Sequence, residues 1–173
     1  VMPPIYHTST FAQKSPGVHT GYEYSRADNP TRTALEHALE SIENGARGLA
    51  FSSGLAAIDC VMKLLKPGDE VIAMDDLYGG TYRLFTRFYE DMGIRFHFIS
   101  MNDLTLFESK INEKTKLVWI ETPTNPLMKL ADIEAIAKIT KKHGILFAVD
   151  NTFATPYLQK PLDLGADIVM HSA

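Results

Sequence analysis

Short β-rich runs recur along the chain, "RGLAF", "EVIAMD", "RFHFIS", "KLVWIE", "ILFAVD" and "DIVMHS", with helical stretches near residues 55–66, 80–92, 104–111 and 132–143 among them. This alternation limits the possible folds more than any other feature. Strands so nearly continuous in apolar residues are covered on both faces, and an intervening helix brings the chain back to the same edge. The class is therefore α/β, a mostly parallel sheet with helices on both faces. In such sheets ligands bind beyond the carboxyl ends of the strands. The loops that follow the strands, "SSGLAA", "DDLYGGT", "ETPTNP" and "DNTFATPY", are where chemistry is expected.

Ahead of this pattern, residues 1 to about 28 lack helical or alternating periodicity and read as an extended arm. "NPTRTALEHALESIENG" then marks a helix, with Asn29 as N-cap, Pro30 in the first position and Gly45 as terminator. Ala34, Leu35, Ala38, Leu39 and Ile42 share one face of it. The expected division is 1–45 for the arm and first helix and 46–173 for one incomplete domain. The chain opens without an initiator methionine and breaks off inside a periodic segment, so it is read as a fragment.

A net charge of −4 without a basic stripe argues against nucleic acid. No apolar run is long enough to span a membrane. Cys60, the one cysteine, excludes an internal disulfide, suits a reducing cytosol and is expected to be a buried thiol. No cluster has metal-ligand spacing, so no metal site is expected.

Each loop supports two readings. Ser52, Ser53 and Gly54 form either a serine cap with a tight turn or a phosphate site at a helix start, where free amides and the helix dipole favour an anion. Asp150 ends a buried strand, where a carboxylate expects a loop hydrogen bond or a cationic partner such as a protonated ring nitrogen. Tyr78 either packs in the core or lies over a planar ligand. Asn125, between two prolines, belongs to a rigid turn or donates its amide to a carboxylate. Tyr24 and Arg26, two apart in the arm, are exposed residues or a shared grip on one phosphate. A phosphate, a planar ring and a ring nitrogen to protonate together describe pyridoxal phosphate.

The stretches "YSR.DNPTR", "SSGLAA", "DDLYGGTYR", "ETPTNP", "VDNTF" and "LGADIVMHSA" closely resemble the Cys/Met-metabolism family of pyridoxal-phosphate enzymes along essentially the whole chain. The resemblance implies the large cofactor domain of a fold-type I enzyme. It implies that Asp150 pairs with the pyridinium nitrogen, that Tyr78 stacks on the ring and assists catalysis, and that Ser53, Gly54, Leu55 and Ser172 hold the phosphate. Thr152 would lie near the ring and Asn125 would meet the carboxylate of a small amino-acid substrate. Tyr24 and Arg26 would reach into a neighbouring subunit's site, making a dimer the smallest active unit, within a homotetramer in the cytoplasm. In the family, Ser172 opens an S-x-T-K run whose lysine forms the Schiff base, so that lysine is expected just beyond Ala173.

The branch rests on smaller differences. Gly80 stands where methionine γ-lyases carry cysteine, and the arm together with "KLVWIETPTNP" looks most like cystathionine γ-lyases. Ala27 and Asp28 depart from that pattern. The leading expectation is γ-elimination of L-cystathionine to cysteine, 2-oxobutyrate and ammonia. γ-Replacement by a cystathionine γ-synthase or O-acylhomoserine sulfhydrylase follows, then methionine γ-lyase or cystathionine β-lyase. A non-catalytic ligand-binding or assembly protein of the same fold is the alternative from another class.

Overall fold

The computed structural model describes residues 3–173. The chain forms two compact units, Val1–Ala50 and Phe51–Ala173.

In the first unit the arm is not extended throughout. β1 (Gln13–Ser15) and β2 (Val18–His19) pair as a small antiparallel hairpin. Gly17 sits in its turn at φ 78, a backbone conformation that costs glycine nothing. α1 (Pro30–Ile42) starts as the sequence expects, with the Thr31 amide donating to Asn29 Oδ1 at 2.8 Å. At its end Asn44 takes the left-handed conformation, φ 55, and the Gly45 amide closes on the Glu40 carbonyl at 2.8 Å. No residue of α1 is buried, and Leu35 and Ile42 of its apolar face stay exposed.

The expected strand "RGLAF" does not form. Its backbone is engaged by α1 instead: the Ala50 amide donates to Glu36 Oε1 at 3.0 Å. At Gly48 the two backbones approach so closely that a Cβ would stand 2.1 Å from the Glu36 carbonyl oxygen. Local sequence shows a β-like composition there, but a strand needs a neighbour, and α1 takes that place.

The second unit follows the predicted alternation. In order come α2 (Gly54–Met62), β3 (Glu70–Met74), α3 (Gly79–Leu84) continued by a π-helical turn over Phe85–Tyr89, and β4 (Arg95–Ile99). α4 (Leu104–Lys110), β5 (Thr115–Glu121), α5 (Ile133–His143), β6 (Leu146–Asp150), α6 (Thr155–Leu158) and β7 (Ile168–Met170) complete it. The five strands lie in the order β4-β3-β5-β6-β7, every pair parallel. Every residue of β3 and all but Lys116 of β5 are buried, so side chains pointing either way are covered.

The covering helices show why they dock. α5 buries Ile133, Ile136, Ala137 and Thr140, the i, i+3, i+4, i+7 stripe of an amphipathic helix. The Ala135 amide donates to the Asp132 cap at 2.9 Å, and Gly144 ends the helix at φ 66. α2 buries Ile58 and Met62, one turn apart, which sends Cys60 outward. The thiol expected in the core is therefore exposed. Under the sheet, Phe85 stacks on Phe96 at 4.6 Å and meets Trp119 edge-on at 5.9 Å. Each such buried side chain contributes roughly 1.5–3 kcal/mol of burial energy.

The amino and carboxyl edges of the sheet differ in chemistry. At the amino edge, buried Glu70 accepts from Asn112 Nδ2 at 2.9 Å and lies 2.7 Å from His97 Nε2. Those contacts, Asn112 first, hold its carboxyl below the ordinary range. At the carboxyl edge, β4 lies on one side of β3 and β5 on the other, so the order reverses between β3 and β5. The loops after these two strands flank a crevice of the kind that binds ligands in open α/β sheets.

Candidate active site

β6 delivers Asp150 to the carboxyl edge, between β5 and β7, where it is 6% exposed. Thr152 donates twice to Oδ1, from its amide at 3.0 Å and from its hydroxyl at 2.5 Å. The same hydroxyl oxygen accepts the Ser172 amide at 2.9 Å. Burial raises the Asp150 carboxyl above its ordinary range, against the two Thr152 bonds and the nearby His171. A carboxyl so placed gains most from a cationic partner.

Ser172 also meets the start of α2. Ser53 is the N-cap, its Oγ accepting the Ala56 amide at 3.1 Å, so the capping reading of this loop is correct. An ideal Cβ at Gly54 would lie 2.7 Å from Ser172 Cβ and 2.8 Å from its Oγ. Glycine is thus what lets the serine reach the helix entrance. The amides of Gly54 and Leu55 open the helix, where backbone N–H groups lack intrahelical acceptors. A serine hydroxyl, free amides and the helix dipole lie together there, a set of groups able to take an anion.

Tyr78 precedes α3 and is not a core residue: it is 49% exposed, and its ring folds over Gly80, where a Cβ would come 2.3 Å from Cε1. Asn125 lies in a loop whose Thr122–Pro123 and Asn125–Pro126 bonds are both cis. Asp76 organises that loop by accepting the Thr124 hydroxyl and, at 3.0 Å, the Leu127 amide. The Lys129 amide returns to Thr124 Oγ1 at 2.8 Å.

Two acids went unassigned in the motifs. Glu121 ends β5 in register with Asp150 of β6 and accepts the Tyr78 amide at 2.8 Å. Burial, with Asp150 and Asp76 nearby, pushes its carboxyl up to about 7 despite bonds from the Tyr78 and Asn125 backbones. The signal was the same as for Asp150, an acid closing an apolar strand. Asp76 gave no such signal, because its neighbour Asp75 looked equivalent until Lys129 paired with Asp75 at 2.9 Å.

Asp150, Thr152, Ser172 and Gly54 are therefore joined by direct contacts, and Tyr78 is tied to the end of β5. Tyr24 and Arg26 belong to the first unit. They do not point the same way from an extended strand. The Tyr24 carbonyl accepts both the Ala27 and Asp28 amides at 3.0 Å, which turns the chain at Arg26 and lays its guanidinium 5.0 Å from the Tyr24 ring centroid. Among the described residues no cluster of three or more His, Cys, Asp or Glu could hold a metal.

The donor set of the second unit fits pyridoxal phosphate. The Gly54–Ser172 cradle offers amides and a hydroxyl for a phosphate, and buried Asp150 offers a carboxylate for a pyridinium nitrogen.

Comparison with known proteins agrees. Residues 1–173 match the sequence model of the Cys/Met metabolism PLP-dependent enzymes. A cystathionine gamma-synthase/O-acetylhomoserine (thiol)-lyase of Bacillus subtilis is 56% identical over 173 residues, 100% of this chain and 46% of that protein. A cystathionine gamma-lyase of the same organism is 54% identical over 170 residues, 98% of this chain and 45% of the relative. The crystal structure of cystathionine gamma-lyase from Lactobacillus plantarum complexed with L-serine superposes with a TM-score of 0.93 at 49% identity, covering 97% of this chain and 44% of that one. The chain spans about half the length of these relatives. Matched along its whole length by that family's model and by relatives more than half identical, the chain belongs to the Cys/Met metabolism family of PLP-dependent enzymes.

Proposed function

We propose that the protein carrying this chain is a carbon–sulfur lyase of trans-sulfuration that eliminates the γ-substituent of L-cystathionine, giving cysteine, 2-oxobutyrate and ammonia. The observation that carries the reading is the chain of contacts from Asp150 through Thr152 to Ser172 and Gly54, which joins a ring-nitrogen partner to a phosphate cradle. When bound, pyridoxal phosphate supplies an electron sink for the pair left by Cα–H ionisation. Asp150 keeps a proton on the ring nitrogen, and Thr152 holds the carboxylate in place. Ser53, Gly54, Leu55 and Ser172 bind the phosphate, Tyr78 covers one ring face and excludes water, and Asn125 orients the substrate carboxylate. The lysine implied after Ala173 would carry the reacting amine.

Gly80 favours this branch over methionine γ-lyase, since the cysteine of that branch is absent here. The B. subtilis relative named for the synthase and thiol-lyase reactions favours a second reading, γ-replacement on an O-acylhomoserine. Tyr24 and Arg26 serve a neighbouring subunit in this account, so the active unit is a homo-oligomer, at least a dimer. Cytoplasmic location fits a chain whose described residues include no helix long and apolar enough to cross a membrane.

The test is to supply the full-length protein with L-cystathionine and identify the keto acid. 2-Oxobutyrate supports the lyase, pyruvate moves the reaction to β-elimination, and turnover only of an acylhomoserine with cysteine moves it to the synthase. Mixing an Arg26→Ala protein with one lacking the lysine should restore part of the activity if sites are shared between subunits. No restoration would remove Arg26 from the site.

A further inference from the structure

Glu121 has no part in the chemistry above, yet like Asp76 it links the loops that follow β3 and β5. It is 5% exposed, at the end of β5, and its Oε2 accepts an amide from the loop after β3, across the point where the strand order reverses. That amide belongs to Tyr78, which stands at the N-cap of α3 with no side-chain cap bond of its own. An amide there lies outside the helical ladder and needs an acceptor from elsewhere. The Asn125 backbone faces the same carboxylate, so the loops that carry Tyr78 and Asn125 converge on it.

A buried acid beside Asp150 and Asp76 is costly, as its raised carboxyl shows. A leucine would close the strand without that cost, but it would release the Tyr78 amide. The Tyr78 ring, for its part, is half exposed and rests on a glycine.

We propose that Glu121 is a positioning residue for Tyr78, setting through its hold on the Tyr78 amide where the aromatic ring meets the bound cofactor. The inference rests on the pyridoxal-phosphate reading of Tyr78 given above.

The test uses the full-length protein, stripped of cofactor and titrated with pyridoxal phosphate, with the dissociation constant and the induced circular dichroism of the bound cofactor as readouts. Glu121→Leu should weaken binding about tenfold, the scale of losing a hydrogen bond to a charged group, and reduce the induced band. Glu121→Gln keeps an acceptor and should stay within about twofold of wild type. In a Tyr78→Ala background the Leu change should cost less than about twofold more, since residues acting through one another are not additive. An equal tenfold loss in that background, or an unaltered band in Glu121→Leu, overturns the proposal. If the Leu variant does not fold, hydrogen exchange at the Tyr78 amide decides: protection in wild type and Glu121→Gln supports the hold, and exchange as fast as in open loops overturns it. A wild-type protein that binds no pyridoxal phosphate would sink the cofactor reading, while amide exchange would still report on Glu121.

Discussion

Gly54→Ala adds one methyl group at the most crowded point of the site. The new Cβ would stand 2.7 Å from Ser172 Cβ and 2.8 Å from Oγ, against an ordinary carbon contact of about 3.5–4.0 Å. Ser172 must therefore retreat by roughly 0.7 Å or more, or the first turn of α2 must tilt. Overpacking costs about 1–3 kcal/mol, so the fold should lose at most about 3 kcal/mol. The larger effect falls on the ligand. Ser172 is also held by its amide to Thr152, which in turn is bonded to Asp150, so the displacement passes from the helix start to Asp150, the two ends of the proposed cofactor site. Losing one hydrogen bond to a charged phosphate is worth about 1.5–3 kcal/mol, a tenfold to hundredfold weaker dissociation constant. Titration of the cofactor-free, full-length protein with pyridoxal phosphate, with thermal unfolding in parallel, measures both. Binding within twofold of wild type would refute the cradle.

Other outcomes follow from the same edge and the opposite one. Gly80→Ala should drive the Tyr78 ring off its seat, where Cβ would lie 2.3 Å from Cε1, and change the induced circular dichroism of bound cofactor; an unchanged band would contradict that placement. Glu121, raised to about 7 by burial, favours folding most when protonated, so that contribution is full below about pH 4.5 and is lost as pH rises through 7. Glu121→Gln should accordingly gain stability over wild type progressively between pH 5 and 8, in denaturant unfolding of the cofactor-free protein; a flat difference would refute the burial argument. Glu70 has the opposite sign: its lowered carboxyl stabilises above the usual carboxylate range, and that stability is lost as pH falls through its folded value. Asn112→Ala removes the largest cause and should move acid unfolding to higher pH.

The sheet was legible because its strands are apolar on both faces and closed by acids or turns: five expected runs became β3 to β7 with ends displaced by one or two residues. "RGLAF" misled because its composition matches a strand while its partner is α1, a fact about tertiary contact that no local pattern carries. Cys60 misled for a related reason. Its burial depended on the phase of α2, and Ile58 and Met62 set that phase. At the site, Asp150 was visible as a charge closing a buried strand, and the serine cap with its tight glycine turn was visible as small residues before a helix. The turn at Arg26 was not visible, because it depends on one carbonyl accepting two amides. Glu121 offered the same signal as Asp150, but its partner, the amide of Tyr78, lies 43 positions away in sequence and only the sheet order brings it near.

In the proposed function, Asp150 is the carboxylate that keeps a cofactor ring nitrogen protonated. Nitrogen-15 NMR of the full-length protein loaded with ring-labelled pyridoxal phosphate reads that proton directly. A protonated nitrogen in wild type that becomes unprotonated in Asp150→Ala at neutral pH is the predicted result. An unprotonated nitrogen in wild type, or a protonated one that survives the substitution, would contradict it.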